Sequence, residues 1–286
     1  MTDEGKEGIV RRPLGLHHLT VTEVDPLAFV EVAAKAGYDQ VSLFTNAPHV
    51  PQPGREGMFV YPTVTPQLVP EVRASLHADG LGVVGAEFFL MTADVDLEDY
   101  GPGLAVGAEL GAAHAVTHIF DTNEARAVDT LGAFCDLAAS HGLKVGIEFC
   151  SLTPGCRSIR QAAWFVDQVG RPNLGFGICP MHLTRSGGTA ADIAALGTHY
   201  FIYGQINDGH GLHASSDYFA EVHDRELPGD GDFPLHDILS ALPAATPIEV
   251  KIPYDRRKET GVPALAFARE AFARSHPLVE ALHPQR

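Results

Sequence analysis

Residues 144–179, KVGIEFCSLTPGCRSIRQAAWFVDQVGRPNLGFGIC, decide the fold. The stretch begins with a short apolar run, residues 144–149, and ends with a second one, residues 174–179. Between them Ser158 is a typical helix N-cap, apolar residues recur at helical spacing, and Gly170 ends the helix. Two consecutive strands joined by a helix pair in parallel, because a parallel pair needs a crossover connection. The stretch therefore predicts one βαβ unit.

The same unit repeats along the rest of the chain. Other clear helices begin at Asp25-Pro26 and at Asn123. Eight such units in a chain of 286 residues favour a closed barrel over an open sheet. We predict an α/β fold with a single (β/α)8 TIM-barrel domain over residues 1–286, including an N-terminal tail at about residues 1–12. The predicted strands cover residues 15–21, 40–44, 82–90, 113–120, 144–149, 174–179, 200–206 and 247–252.

The composition excludes several classes of protein. Hydrophobic residues make up 45% of the chain, which is enough for a large core and excludes a disordered chain. No apolar run is long enough to span a bilayer, and the N-terminus lacks a secretion signal, so we expect a cytoplasmic protein without membrane contact. A net charge of −16 without a basic stripe disfavours nucleic-acid binding. The chain lacks the glycine-rich motifs that bind nucleotide cofactors, and its four cysteines have no CxxC spacing.

Two of the loops that connect predicted strands to the next helix are longer than such a connection requires. Residues 45–65 follow the second predicted strand, and residues 207–233 follow the seventh. Loops that follow strands lie on the catalytic face of a TIM barrel, and loops of this length are usually functional or disordered. We predict that both are active-site loops.

Two glutamates lie near the carboxyl ends of predicted inner strands. Glu148 belongs to the fifth strand and Glu249 to the eighth, while Cys179 ends the sixth. Small residues share a strand face with Glu148 and Cys179, which predicts room inside the barrel there. A carboxylate in an apolar strand costs several kcal/mol unless it is paired or bound to a metal. The two glutamates therefore need a common explanation.

Spacing alone leaves two explanations open. One is a divalent metal held by both glutamates, with Gln205 and His182 nearby. The other is a structural layer of ion pairs, in which Glu249 pairs with Lys251 or Arg185.

Five short motifs carry a family resemblance. They are GIE at residues 146–148, CPMHLTRSGG at 179–188, QINDG at 205–209, PGDGDF at 228–233 and IEV at 248–250. In this order they resemble the sugar-phosphate isomerase/epimerase family, the xylose-isomerase-like TIM barrels, which includes inosose dehydratase, 3-dehydroshikimate dehydratase and ketose 3-epimerases. The resemblance covers most of the chain and is strongest over about residues 80–252.

The resemblance implies a divalent metal with Glu148, Gln205 and Glu249 as ligands. His182 matches the histidine of the family's Asp-x-x-His sequence, but Cys179 stands where the aspartate is expected. Magnesium and manganese prefer oxygen ligands, whereas a thiolate suits zinc.

Three outcomes follow for the metal. Mn, Mg or Co could be held by the three oxygen ligands, with His182 or water completing the site. Zinc could be held with the help of Cys179. Alternatively the site holds no metal, and Lys251 supplies a fixed positive charge instead.

The chemistry that the resemblance implies is proton abstraction next to the carbonyl of a small polyhydroxy compound, such as a sugar, a sugar acid or a cyclic polyol. Glu148 and Glu249 would transfer the proton, and His182 would polarise an oxygen or act as an acid. Isomerisation, epimerisation and elimination all fit, so a lyase acting on a cyclic keto-polyol or keto-glycoside is the alternative. A catalytically silent binding barrel is a further one. Barrels of this kind often dimerise, which makes a homo-oligomer the assembly to test for.

Further polar residues are candidates for binding the small-molecule substrate. We interpret His17, His18 and His114 as core histidines. Asp121 and Glu87 are less favoured candidates for the mouth of the barrel. The predicted substrate-binding residues are Arg185, His118, Lys251 and Asn207.

Phenylalanines cluster near the predicted catalytic face, among them Phe44, Phe88, Phe120 and Phe149. If several line the mouth, we expect the substrate to be a cyclic or partly aromatic polyol, or a glycoside, rather than an open-chain sugar phosphate.

Overall fold

The computed structural model describes residues 12–47 and 61–282. Most of the predicted N-terminal tail and most of the predicted loop 45–65 lie outside these residues. Eight parallel strands close into one barrel, in which each strand pairs with the next and the eighth pairs with the first. The predicted (β/α)8 barrel is confirmed.

Strands and helices alternate around the barrel. The strands β1–β8 are Leu14–His17, Gln40–Phe44, Gly82–Met91, His114–Ile119, Lys144–Ile147, Leu174–Ile178, Phe201–Ile206 and Ile248–Val250. The helices α1–α11 are Pro26–Ala36, Val69–Asp79, Gly101–Glu109, Glu124–Ser140, Ile159–Val169, Pro180–Arg185, Ala190–Ala194, Tyr218–His223, Leu235–Ala241, Asp255–Thr260 and Ala264–Glu280. Within the described ranges, none of these helices is long and apolar enough to cross a bilayer.

The predicted helix ends form for the expected reasons. The side chain of Asp25 accepts a hydrogen bond from the Ala28 amide at the start of α1. Ser158 caps α5 in the same way. At the end of α1, Gly37 has a φ of 99°, a left-handed conformation that glycine adopts at low cost.

The first strand is shorter than predicted. It ends at His17, and residues His18–Val21 form a 3-10 helix. The Leu19 amide donates a hydrogen bond to Nδ1 of His17, which turns the chain at this point. An apolar run does not distinguish a strand from a buried tight turn, so this boundary could not be predicted from periodicity.

A tyrosine fills the predicted room inside the barrel. Tyr203 of β7 is fully buried and stacks on His114 of β4, with ring centroids 4.8 Å apart. A Cβ atom added at Gly177 would lie 2.0 Å from the Tyr203 ring, and one added at Gly146 would lie 2.8 Å from it. The glycines therefore make space for Tyr203, whose hydroxyl reaches upward to the catalytic face.

We expect Gly177→Ala to destabilise the barrel by about 1–3 kcal/mol, because the added methyl group has no space beside the Tyr203 ring. Urea unfolding of the two proteins measures this difference. Gly80→Ala is the comparison. A Cβ atom at Gly80 has no neighbour within 4 Å, so this substitution adds only the backbone strain of a side chain at a φ of 67°. A Gly177→Ala protein as stable as the wild type would contradict the packing described here.

The four cysteines are all buried, and none forms a disulfide.

The loop after β7 is held by Asp208, whose carboxylate accepts hydrogen bonds from the amides of Gly209, Gly229 and Phe233. The predicted loop 207–233 is therefore structured in part, and it contains α8.

Candidate active site

A cavity of about 260 Å³ opens at the carboxyl ends of the strands. Its polar floor is formed by side chains from or just after β1, β3, β4, β5 and β8, and its walls are mainly apolar. The polar lining residues are His17, Glu87, His118, Glu148, His182, Arg225 and Lys251, with Thr153 and His223 farther out. The cavity lies where TIM-barrel enzymes place their active sites.

Glu148 is held by three side chains. Nζ of Lys251 lies 2.9 Å from Oε1 and 2.8 Å from Oε2 of Glu148. Nε2 of His182 lies 3.1 Å from Oε1, and the Tyr203 hydroxyl donates to Oε2 at 3.3 Å. The other ring nitrogen of His182 contacts the Tyr218 hydroxyl. All the hydrogen-bonding capacity on the inner side of the carboxylate is therefore used by the protein itself.

These contacts keep the pair charged. Burial opposes ionisation of Glu148, but the Lys251 ammonium and the His182 hydrogen bond hold the pKa of this carboxyl well below its usual value. Burial also opposes protonation of Lys251, and Glu148 and Glu87 outweigh it, so that the pKa of the amine is raised. The floor of the cavity therefore carries a fixed cation.

Glu249 lies in a separate environment. One of its oxygens accepts a hydrogen bond from Gln205 Nε2 at 2.8 Å, and the other accepts from the Ser42 hydroxyl. Burial raises the pKa of this carboxyl. Glu249 does not belong to the described lining of the cavity. The two glutamates are thus each satisfied by protein side chains, through different partners.

Glu87 and His17 face each other across the cavity floor. His17 Nε2 and Glu87 Oε1 are 3.2 Å apart, but they are not aligned for a hydrogen bond. Within residues 12–47 and 61–282, neither atom has a hydrogen-bond partner, although both residues are buried. Burial raises the pKa of Glu87 to about 8, with Lys251 opposing it, and lowers the pKa of His17 to about 3. At neutral pH the pair is mostly uncharged.

The hydrogen bonding of His17 fixes its tautomer. Nδ1 accepts a hydrogen bond from the Leu19 amide at 2.9 Å, so Nδ1 carries no proton. A neutral imidazole then carries its proton on Nε2. This N–H group lies next to Glu87 Oε1 and has no hydrogen-bond acceptor among the described residues.

Cys179 lies beneath the cavity, directly after β6. Its sulfur accepts hydrogen bonds from Asn207 Nδ2 at 3.3 Å and from an Arg225 guanidinium nitrogen at 3.5 Å. Burial opposes ionisation of the thiol, but His182 and Arg225 lower its pKa to about 6. Arg225 and His182 therefore favour the thiolate form of Cys179 against its burial.

The predicted substrate-binding residues divide into two groups. Lys251 and His118 line the cavity, as does Glu87, which was a less favoured candidate. Asn207 instead bonds to Cys179 and accepts from the Met181 amide. Arg185 bonds to Glu221 and to three backbone carbonyls of the loop after β7. The contacts of Asn207 and Arg185 are with protein groups, and neither residue lines the described cavity, so their substrate-binding role stays a prediction.

The predicted core histidines and Asp121 differ in whether they reach the cavity. His18 stacks on Phe29 at 4.0 Å and His114 stacks on Tyr203, as expected of core histidines. His17 is buried as expected, but it also lines the cavity. Asp121 pairs with Arg126 at 2.6 Å and is not among the residues that line the cavity.

The metal ligands implied by the sequence do not fit a divalent ion as the side chains stand. Lys251 bonds to both oxygens of Glu148, so an ion at this carboxylate would lie against an ammonium group. Cys179 already accepts from a cation, Arg225. Gln205 Oε1 is the exception, because this buried oxygen has no partner within the described chain. The ligand set of Glu148, Gln205 and Glu249 stays a prediction that metal analysis must test.

A second group could hold a metal by distance alone. Ligand atoms of His17, Glu87 and Glu249 lie within 4.8 Å of one another, and all three residues are buried. A metal-bound histidine donates its other N–H group to a neighbour. His17 does the opposite, because its Nδ1 accepts from a backbone amide, and its Nε2 therefore carries a proton. This group does not fit a metal without a rearrangement of His17.

Several residues of the site were not predicted. Four side chains complete the hydrogen bonding of the site: Ser42 bonds to Glu249, Tyr203 to Glu148, Tyr218 to His182 and Arg225 to Cys179. Ser42 is the one polar residue in the middle of β2, which is a usable signal. Arg225 and Tyr218 come from the long loop after β7, where no periodicity indicates which side chains turn inward.

Comparison with known proteins agrees with the fold. The model of one family, described as Xylose isomerase-like TIM barrel, matches residues 30–271. A search of the curated proteins finds no match. The similar solved structures include the IOLI protein with a bound zinc atom, which is 16% identical with a TM-score of 0.77, and the match covers 96% of this chain and 100% of that one.

Two similar structures are epimerases. L-ribulose 3-epimerase is 15% identical with a TM-score of 0.68, and the match covers 95% of each chain. D-allulose 3-epimerase from Methylomonas sp., in complex with D-allulose, is 16% identical with a TM-score of 0.66, and covers 92% of this chain and 96% of that one. At these identities the likeness shows the fold, while the family model covers most of the sequence. The chain belongs to the xylose isomerase-like TIM barrel family.

Proposed function

We propose that this protein is an isomerase or epimerase that moves a proton next to the carbonyl group of a small hydroxy-carbonyl compound, without a metal. One observation carries the proposal. A fixed cation, Lys251, lines the same cavity floor as a buried carboxyl group, Glu87, whose Oε1 has no hydrogen-bond partner among the described residues. Proton abstraction beside a carbonyl needs such a pair, a charge that stabilises the developing oxyanion and a base of suitable pKa.

Lys251 stabilises the oxyanion. The ammonium group is held by two hydrogen bonds to Glu148, so it does not have to be reoriented when negative charge develops on the substrate. Charge interactions are stronger in a cavity that excludes water than in solution. The substrate carbonyl therefore binds with its oxygen toward Lys251, where the sequence had predicted a metal or, alternatively, this same cation.

Glu87 transfers the proton. With a pKa of about 8, about one tenth of this group is ionised at pH 7, and it is a stronger base than an ordinary carboxylate. The carboxylate takes the proton from the carbon next to the carbonyl, and the C–H electron pair forms the double bond of an enolate. For isomerisation, Glu87 returns the proton to the former carbonyl carbon, while the proton of the adjacent hydroxyl group moves to the former carbonyl oxygen and the hydroxyl-bearing carbon becomes the new carbonyl. For epimerisation, a second acid donates a proton to the opposite face of the same carbon, and the proton on Glu87 is lost to solvent. Glu148 is a weaker base because Lys251 lowers its pKa.

The histidines bind oxygen atoms of the substrate. His17 presents its Nε2–H group to the cavity, and His118 is neutral as well, because burial lowers its pKa to about 4. Neutral imidazoles hydrogen-bond to hydroxyl groups without competing with Lys251 for the oxyanion. They orient the reacting C–H bond toward Glu87.

A lyase is the second candidate, and one observation favours it. Elimination needs an acid at the leaving hydroxyl in addition to the base at carbon. His182, which bonds to Glu148 and Tyr218, has a raised pKa because Cys179 outweighs its burial. A protonated His182 supplies such an acid where the leaving hydroxyl replaces Glu148 or Tyr218 as its partner. Elimination yields an unsaturated carbonyl product, which isomerisation and epimerisation do not.

Proton exchange with solvent tests the proposed function. Unphosphorylated ketoses, cyclic keto-polyols and simple hydroxyketones are incubated with the protein in D2O, and proton NMR follows the signal next to the carbonyl. We expect loss of this signal well above the rate without protein. Exchange no faster than this blank across the whole set would contradict the proposal, and a new vinyl signal would favour the lyase.

Metal content gives an independent prediction. We expect protein purified without a histidine tag to contain far less than one equivalent of Mn, Mg, Co or Zn, and to keep its exchange activity in EDTA, because Lys251 already neutralises Glu148. Elemental analysis measures the content. One equivalent of metal in the wild type, lost in Glu249→Gln together with activity, would support the metal site predicted from the sequence and contradict the metal-free proposal.

A further inference from the structure

One wall of the cavity is aromatic. Phe44 at the end of β2 packs against Tyr61, with ring centroids 4.8 Å apart. Tyr61 meets Phe88 at 5.7 Å and an interplanar angle of 85°. Phe88 in turn contacts His118 at 5.1 Å. Tilted and edge-to-face contacts of this kind are favourable and fix the orientation of each ring, so the wall is a preformed aromatic surface beside the polar floor.

The opposite wall is apolar as well. It is formed by Leu152, which follows β5, and by Phe219 and Val222 of α8, which follows β7, across the closed barrel from β2–β4; Leu19 also lines the cavity. Leu152 is 39% exposed, which is unusual for a leucine in this chain. Every carbon of an open-chain sugar carries a hydroxyl or carbonyl oxygen, and a buried polar group without a hydrogen-bond partner costs about 1–3 kcal/mol. The space between the two walls therefore suits the apolar part of a ligand better than a polyol chain.

The charges of the cavity disfavour a phosphate group. Among the described residues, two cations line it, Lys251 and Arg225. Lys251 bonds to Glu148, and Arg225 donates to the Cys179 sulfur and to the Lys251 carbonyl. Arg185, the predicted phosphate clamp, bonds to Glu221 and to the loop after β7. Among the described lining residues, neither Lys251 nor Arg225 is therefore free to pair with a phosphate group.

We propose that the natural substrate is an unphosphorylated hydroxy-carbonyl compound that carries an aromatic ring, with the ring packed between Phe88 and the opposite apolar wall. The cavity volume of about 260 Å³ is at the small end of ligand pockets, and it fits one ring and a short carbonyl chain. The proposal rests on the proposed function only in taking this cavity as the substrate site.

Two hydroxyketones that differ by the ring form the test. Both compounds contain the same hydroxyketone unit. It bears a phenyl group in 2-hydroxyacetophenone and a methyl group in hydroxyacetone. By titration calorimetry we expect 2-hydroxyacetophenone to bind the wild-type protein at least tenfold more tightly. In Phe88→Ala this preference should fall below threefold, because 2-hydroxyacetophenone loses more affinity than hydroxyacetone does. Trp164→Ala, which removes a part-exposed aromatic residue from the outer face of α5, should keep the full preference.

The outcomes separate this proposal from the proposed function. Failure of 2-hydroxyacetophenone to bind, equal binding of both probes, or tighter binding of fructose 6-phosphate would each overturn the aromatic substrate class. Exchange of the carbon-bound proton in D2O is recorded on the same samples. Ring preference without catalysed exchange supports the substrate class and contradicts the proposed function, whereas exchange without ring preference does the reverse.

Discussion

Lys251→Met is expected to lower catalysed proton exchange by about a thousandfold. The ammonium group is the buried cation aimed into the cavity floor, and removal of one preorganised group that stabilises an oxyanion costs about 10²–10³ in rate. The same substitution leaves Glu148 as a buried carboxylate without its charge partner, which destabilises a protein by about 3–5 kcal/mol. Exchange rates by NMR and urea unfolding measure the two effects.

The double variant Glu148→Gln/Lys251→Met separates chemistry from folding. It removes both charges, so we expect most of the lost stability to return, while the rate of exchange stays as low as in Lys251→Met. If the double variant recovers activity together with stability, the role of Lys251 is structural. If Lys251→Met alone keeps its full activity, another group stabilises the oxyanion.

The architecture could be predicted because it follows from local patterns. The apolar runs, the caps at Asp25 and Ser158 and the glycines that end helices all act within a few residues, and seven of the eight predicted strands match the observed ones to within two residues at each end. The exception is β1, where residues predicted as strand form a 3-10 helix. There the deciding interaction is a single hydrogen bond from the Leu19 amide to the His17 ring, and the pattern of apolar residues does not predict this bond.

The site was harder to predict because its partners come from distant strands. Alternation places Lys251 on the same face as Glu249, so an ion pair between these two was the expected alternative to a metal. In the barrel the long Lys251 side chain reaches instead to Glu148 of the fifth unit, and Glu249 is satisfied by Ser42 and Gln205. Sequence spacing identifies the face of a strand, but the side chain that a given group contacts depends on barrel closure.

Glu87→Gln is expected to lower proton exchange by about 10²–10⁴, the usual contribution of a general base. In the wild type the exchange rate should rise with pH and level off above about pH 8, because the ionised carboxylate is the active form. Glutamine cannot accept the proton, so the variant should lose this pH dependence. Glu98→Gln, which changes an exposed glutamate outside the cavity, is the matched control and should behave like the wild type.

The same carboxyl group should cost the protein stability, and the sign of this effect is specific. The folded-state pKa of Glu87 is about 8 and its ordinary value is 4.5, so between these values the folded protein holds a proton that the unfolded chain releases. The free energy of unfolding therefore falls as pH rises from about 4.5 to 8. Glu87→Gln removes this loss, and at pH 8 it should be more stable than the wild type by a few kcal/mol, or several degrees in Tm.

A less active but more stable variant is the signature that distinguishes a catalytic Glu87 from a structural one. A carboxyl group that served the fold would destabilise the protein when neutralised, because its partners would be left unsatisfied. Glu87 Oε1 has no such partner among the described residues, and its burial next to His17 is unfavourable for the folded state alone. Strain of this kind persists at sites where it supports function. Equal loss of stability and activity in Glu87→Gln would assign the proton transfer to another residue, with Glu148 the next to test.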